Sequence, residues 1–261
     1  MLRLIKLTGA LIILVLLFAC AHQPRNRDSI YQASTINALL EGCFDGHVDF
    51  REIKKHGDFG IGALDGVDGE LIGLDGLFLQ IKGDGSIHPV PDSMTTPYAI
   101  VTFFEPDQTA QVRDTDNYAQ LEAFLDSLIE TKNIFFGVKI EGEFAYVKTR
   151  SIYRQIKPYR PLVEVVKDQS VFEFDKVKGV LAGFRCPAYL GGVNFPGYHF
   201  HFINETRTAG GHLLDVKITK ASVEIDISHS FCLALPKGED FYRLDLSKDK
   251  QQELKKVQGR G

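Results

Sequence analysis

Three of the chain's eight histidines fall within one short stretch, Gly197 to Asp215. His199 and His201 are separated by one residue, and His212 follows after a polar segment that ends in Gly210-Gly211. A neutral imidazole offers one nitrogen lone pair, and three gathered on one patch of rigid backbone can hold a divalent transition metal. Three protein ligands leave a coordination position open, which is the pattern of a catalytic rather than a structural zinc site. A lone strand histidine is more often a hydrogen-bonded or surface residue. That reading accounts less well for a His-x-His pair with a third histidine facing it.

The surrounding residues say which elements must position these imidazoles. Tyr198, Phe200, Phe202 and Ile203 are aromatic or β-branched, the composition of a strand. Alternate strand side chains share a face, so His199 and His201 point the same way, about 7 Å apart. Asn204 to Gly211 reads as a turn, and Gly211 to Ile218 as a returning strand. A hairpin of this kind brings His212 back beside the pair. No fourth ligand is visible locally. Two further groups stand out by position. Glu70 opens the apolar run Leu71-Ile72 at a strand start, where a solvent-facing turn carboxylate is the plainer alternative. Arg150 ends a strand, where its fork of donors can clamp an anion, or serve only as a surface ion-pair partner.

The chain has 261 residues, 44% of them hydrophobic, with 24 glycines and 19 phenylalanines, which suits an ordered, strand-rich globule. The formal net charge is -4, with no basic cluster of the kind nucleic acid requires, so no nucleic-acid partner is expected. Residues 1–19 read as a secretory signal: Arg3 and Lys6, an apolar run from Leu7 to Ala19, then Cys20. Cys20 resembles the first mature residue of a lipoprotein. The expected location is therefore outside the cytoplasm, with a lipid anchor as the only membrane attachment. Residues 20–30 read as a polar tether. The apolar run, roughly 13–15 residues, is short of the about 20 needed to span a bilayer. Cys43, Cys186 and Cys232 form no Cys-x-x-Cys pair and read as buried small residues, with at most one disulfide among them.

Short helices are expected at Ser34–Phe44 (capped by Ser34), Asp49–His56 and Pro161–Gln169. The clearest helix is Asp116–Lys132, with the stripe Leu121, Phe124, Leu125, Leu128 and Ile129. A lysine-rich helix over Ser247–Val257 should pack Leu254 and Val257 inward. The Gly- and Asp-rich run from Gly57 to Gly76 reads as a strand meander with tight turns and not as a nucleotide loop. Ile134–Glu141 and Phe144–Thr149 read as a hairpin about Glu141-Gly-Glu143. Strands are also expected at Val171–Phe174, Val177–Arg185, Ala221–Ile227 and Phe231–Leu235. The fold expected is α+β: two packed, mixed or antiparallel β-sheet halves with few helices. These are an N-terminal half over 31–160 and a β-rich half over 161–261 that carries the metal site on its β-hairpin.

Taken together, the motifs resemble the α-acetolactate decarboxylases from about Tyr31 to Val257. They are His56-Gly-Asp-Phe-Gly-Ile-Gly62, Asp68-Gly-Glu-Leu71, Thr96-Pro-Tyr-Ala99, Thr149-Arg150 with Gln155 and Pro158-Tyr159, Gly183-Phe-Arg185, Gly197-Tyr-His-Phe-His-Phe202 and Gly210-Gly-His-Leu-Leu-Asp215. The resemblance implies that His199, His201 and His212 bind Zn2+, that Glu70 faces the metal and that Arg150 lies in the active site. It implies decarboxylation of (S)-2-acetolactate to (R)-acetoin, with the metal chelating the hydroxyl and ketone oxygens and stabilising the enediolate. No organic cofactor is implied, and a homodimer is compatible with it. Two positions depart from the family's pattern. Ala63 stands where a threonine is usual, and Gln258 where a glutamate usually reaches the metal site from the tail. Glu253 is the alternative tail carboxylate, on a different helix face. Two other readings stand beside this one. His199, His201 and Glu205 resemble a cupin-like His-x-His-x3-Glu pattern, and a non-catalytic metal-binding lipoprotein derived from the decarboxylase fits the two departures.

Overall fold

The computed structural model describes residues 28–259, so the signal segment and Cys20 lie outside the described residues. Fourteen strands carry the fold: β1 (Ser29–Ala33), β2 (Val48–Asp49), β3 (Phe59–Ala63), β4 (Glu70–Leu74), β5 (Leu77–Ile81), β6 (Ile87–Pro89), β7 (Thr95–Thr96), β8 (Tyr98–Thr102), β9 (Gln108–Thr115), β10 (Phe135–Ser151), β11 (Ser170–Cys186), β12 (Gly197–Asn204), β13 (Gly210–Ser228) and β14 (Ser230–Ala234). Seven form one sheet in the order β14-β1-β8-β3-β4-β5-β6, with β1 and β14 parallel. Five form a second, β10-β11-β12-β13-β9, and β10 also pairs with β13, so β10 to β13 close on themselves. The two sheets meet through an apolar layer in which Ile61, Ile72 and Ile81 of the first face Ala182, Phe184 and Ile203 of the second.

The α+β class with two packed sheets is as expected, but the sheets do not divide near residue 160. β9 and β10 come from the first half of the chain and join the second sheet, and β14 comes from the second half and joins the first. β1 begins at Ser29 with Ile30 fully buried, so the last two residues read as tether belong to the sheet.

Several elements are longer than their local signals indicate. No hairpin forms at Glu141-Gly-Glu143, which lies inside the single strand β10. A Cβ on Gly142 would come within 2.3 Å of the Lys220 carbonyl oxygen, so this glycine marks close approach to β13 and not a turn. β11 likewise runs through Asp175-Lys176, where the ladder skips a residue and Lys176 takes φ +50°. β13 fuses the strand after His212 with the expected strand Ala221–Ile227.

The helices are short. Ile36–Leu40 is capped by Thr35 rather than Ser34, whose own backbone has φ +63°. Asp49 caps Phe50–Ile53, and Asn117 caps Tyr118–Leu128, which buries Leu121 and Leu125 as its stripe requires. The tail helix is Gln251–Val257, with Leu254 and Val257 buried. The three cysteines are free. Cys43 and Cys186 are buried as expected and Cys232 is exposed.

Candidate metal centre

The hairpin that carries the histidines is set by its turn. Asn204, at the end of β12, accepts hydrogen bonds through Oδ1 from the Thr208 and Ala209 amides at 2.8 and 3.0 Å, while Arg207 takes φ +55°. The register that follows makes His201 and His212 direct cross-strand partners. On its other side His212 is the partner of Arg150 in β10. β12, β13 and β10 thus deliver three imidazoles and a guanidinium to one place. All three imidazoles are buried, and one ring nitrogen from each lies within 4.8 Å of the others. The closest pair, His199 Nε2 and His212 Nδ1, is 3.0 Å apart. Two nitrogens on one tetrahedral zinc at 2.0–2.1 Å stand about 3.3 Å apart, so the spacing suits a shared ion.

The other sheet supplies the remaining groups. His201 Nδ1 lies 2.6 Å from the Leu71 carbonyl oxygen, which can only accept, so Nδ1 carries the proton and Nε2 keeps its lone pair. That Nε2 has no hydrogen-bond partner among the described residues and lies 3.5 Å from Glu70 Oε2. Burial drives the His201 pKa down to about 3, with the Leu71 bond opposing and Arg150 assisting, so the ring is neutral and ready to ligate. Glu70 is the first residue of β4, opposite Ala63 and Ile81. Its Oε1 accepts from Arg150 Nη1 at 2.8 Å, with both side chains buried. Burial pushes the Glu70 carboxyl up against the pull of Arg150, and lowers the Arg150 pKa against the support of Glu70. Arg150 Nη2 donates to the Val257 carbonyl at 3.2 Å, while its Nε is buried with no acceptor among the described residues. Leu39, Ala63, Val67, Ile152, Phe195 and Val257 wall the small cavity that these polar groups share.

The sequence-derived residues separate clearly. His199, His201, His212, Glu70 and Arg150 converge. Gln258 is buried at the end of the tail helix, one residue past the carbonyl that Arg150 grips. Glu253 is not in the site. It sits partly exposed and paired with Lys250 at 3.1–3.2 Å. Glu205 is in the exposed turn after β12, away from the histidines. What sequence reasoning misses is backbone. The Leu71 and Val257 carbonyls have no side-chain signature, and Phe195, whose ring stands 4.5 Å from that of His199, looks like any core aromatic.

The chain is similar to proteins of one known family. The family model for alpha-acetolactate decarboxylase matches residues 30–248. The alpha-acetolactate decarboxylase of Methanosarcina mazei is 49% identical over 231 residues, covering 88% of this chain and 80% of that one. The Bacillus subtilis protein of the same name is 42% identical over 217 residues, covering 83% and 85%. A crystal structure of the Bacillus subtilis enzyme superposes with a TM-score of 0.86 at 39% identity, over 88% of this chain and 99% of that one. This chain belongs to the alpha-acetolactate decarboxylase family.

Proposed function

We propose that the protein decarboxylates (S)-2-acetolactate to (R)-acetoin, with Zn2+ held by His199, His201 and His212. The observation that carries this reading is a metal-ready imidazole triad beside a buried Arg150 whose Nε–H has no acceptor among the described residues. Close relatives named as alpha-acetolactate decarboxylases support the same substrate.

When bound, the zinc supplies Lewis-acid polarisation of the adjacent hydroxyl and ketone oxygens of the substrate. Three neutral imidazoles add no negative charge that would blunt it. Arg150 is held at one end by Glu70 and the Val257 carbonyl, and keeps Nε–H for an acceptor that arrives with the ligand. A carboxylate is the acceptor of matching charge, so Arg150 orients the group that leaves as CO2. The carbon that loses CO2 must then take a proton. Glu70, whose carboxyl is pushed toward its protonated form by burial, carries that proton beside Arg150. The apolar wall excludes water from this exchange. The cupin-like reading needs Glu205 at the metal; the exposure of Glu205 counts against it, and Glu70 Oε2, 3.5 Å from His201 Nε2, is the nearer carboxylate.

His199→Ala and His201→Ala should each abolish both zinc content and CO2 release. Full zinc occupancy in both variants would end the assignment. Acetoin formation from racemic acetolactate with added zinc is the direct test of activity, and a zinc-loaded protein that forms none would favour the non-catalytic reading. On the sequence of its first 20 residues, we further propose export and acylation at Cys20. Labelled palmitate should enter the parent protein but not the Cys20→Ser variant.

A further inference from the structure

Arg150 is flanked by two fully buried hydroxyl residues, Thr149 and Ser151. Their bonds run in different directions. Thr149 Oγ1 donates to the Gly210 carbonyl at 3.0 Å, two residues before His212. Ser151 Oγ donates to the Ile81 carbonyl of the other sheet at 2.7 Å, and Ile81 is the ladder partner of Glu70. Both contacts are close backbone approaches. A Cβ on Gly211 would meet the Arg150 carbonyl oxygen at 2.4 Å and Thr149 Cβ at 3.1 Å, and Gly211 has φ +142°. A Cβ on Gly69 would meet the Ile81 oxygen at 2.2 Å, and Gly69 has φ +84°. Between Lys148 and Thr149 the β10–β13 register also shifts past Leu214, so the Arg150–His212 pair lies just beyond an irregular step in the ladder.

We infer that Thr149 and Ser151 are positioning residues that divide the site between them: Thr149 ties the His212 strand to β10 and so sets the hold on the metal, and Ser151 ties Arg150 to the strand pair that presents Glu70. Loss of a partner hydrogen-bonded to a ligating side chain typically costs about 10–100-fold in metal affinity or activity; Thr149 and Ser151 act through the backbone of the strands that carry His212 and face Glu70. The Ser151 half rests on the decarboxylase reading, because it assigns Arg150 to the substrate carboxylate.

The test uses the full chain with Thr149→Val, Thr149→Ser, Ser151→Ala and, as a control, Thr102→Val. Thr102 is an equally buried threonine at the C-terminal end of β8, hydrogen-bonded to the Ser29 carbonyl and Asp226 rather than to a site residue. Zinc affinity is read by chelator competition, turnover as kcat and KM for acetolactate, and carboxylate binding as the affinity of the zinc-loaded protein for lactate, a 2-hydroxy acid with no ketone. Thr149→Val should weaken zinc binding about 10–100-fold, and Thr149→Ser should restore most of it. Ser151→Ala should leave zinc affinity within about twofold while lowering kcat/KM and lactate affinity roughly tenfold. If Ser151→Ala does not fold, Ser151→Cys, with a weak donor of similar size, is read the same way. Thr102→Val should lower the Tm and move neither readout. Unchanged zinc affinity in Thr149→Val overturns the inference. So does an unchanged lactate affinity in Ser151→Ala, or a control that reproduces either loss. A parent protein that binds zinc and lactate but releases no CO2 from acetolactate counts against the decarboxylase reading alone, since the zinc and lactate measurements still decide the positioning roles.

Discussion

Gln258 is buried one residue beyond the carbonyl that Arg150 holds, and its Nε2 has no acceptor among the described residues. A carboxamide there brings no charge to the pocket, whereas a carboxylate would add an anion beside Arg150 and the triad. Gln258→Glu should therefore raise kcat/KM, by about tenfold if the new interaction is worth about 1.4 kcal/mol in the transition state. An unchanged or lower rate at equal zinc content would show that the tail does not tune the reaction. At this scale the sequence is highly legible. Strand alternation alone puts His199 and His201 on one face, and two glycines announce the return of His212. Glu70 and Arg150 draw notice only by standing at strand ends, because their 2.8 Å contact joins residues 80 positions apart. Leu71 leaves no trace, since a carbonyl is common to every residue.

Among the elements, β10 shows where local signals mislead. Glu-Gly-Glu has the composition of a turn, yet Glu141 and Glu143 are exposed on one face of a continuous strand, while Gly142 admits β13 at backbone contact. A glycine that permits a turn and a glycine that permits close strand approach are the same letter, and only the pairing partner distinguishes them. Gly142→Val should therefore wedge β10 from β13 in mid-ladder. The expected cost is about 1–3 kcal/mol, read as a lower denaturant midpoint. Zinc content should stay full at room temperature, because the substitution lies eight positions from Arg150. Zinc loss in a folded variant would mean that the ladder transmits strain to the site. By contrast, the helix Tyr118–Leu128 is legible from its apolar stripe, a purely local pattern.

In the whole molecule the two sheets trade strands, and that exchange is invisible to a linear reading because it depends on pairings far apart in sequence. It also buries a carboxylate. Asp226 of β13 lies between the sheets, with Thr102 Oγ1 of β8 at 3.5 Å. Burial raises its pKa to about 7, reinforced by Asp107, Asp28 and Glu105, with the Thr102 bond opposing. An Asp in the unfolded chain titrates near 3.9. The folded state therefore holds the proton more tightly, and this group's contribution is full below about pH 4 and lost as pH rises to about 7. Asp226→Asn should gain a few kcal/mol over the parent at pH 8 and nothing at pH 4, measured by urea unfolding at both. Equal stability of the two proteins at pH 8 would show that Asp226 is well solvated. The parallel pairing of β1 with β14 has a consequence in time as well as in space. The first strand of the described chain waits for one of the last, some 200 residues later. During synthesis β1 has one neighbour missing until nearly the whole polypeptide has emerged, and loop closure on that scale is slow. The seven-stranded sheet is thus completed only late in synthesis.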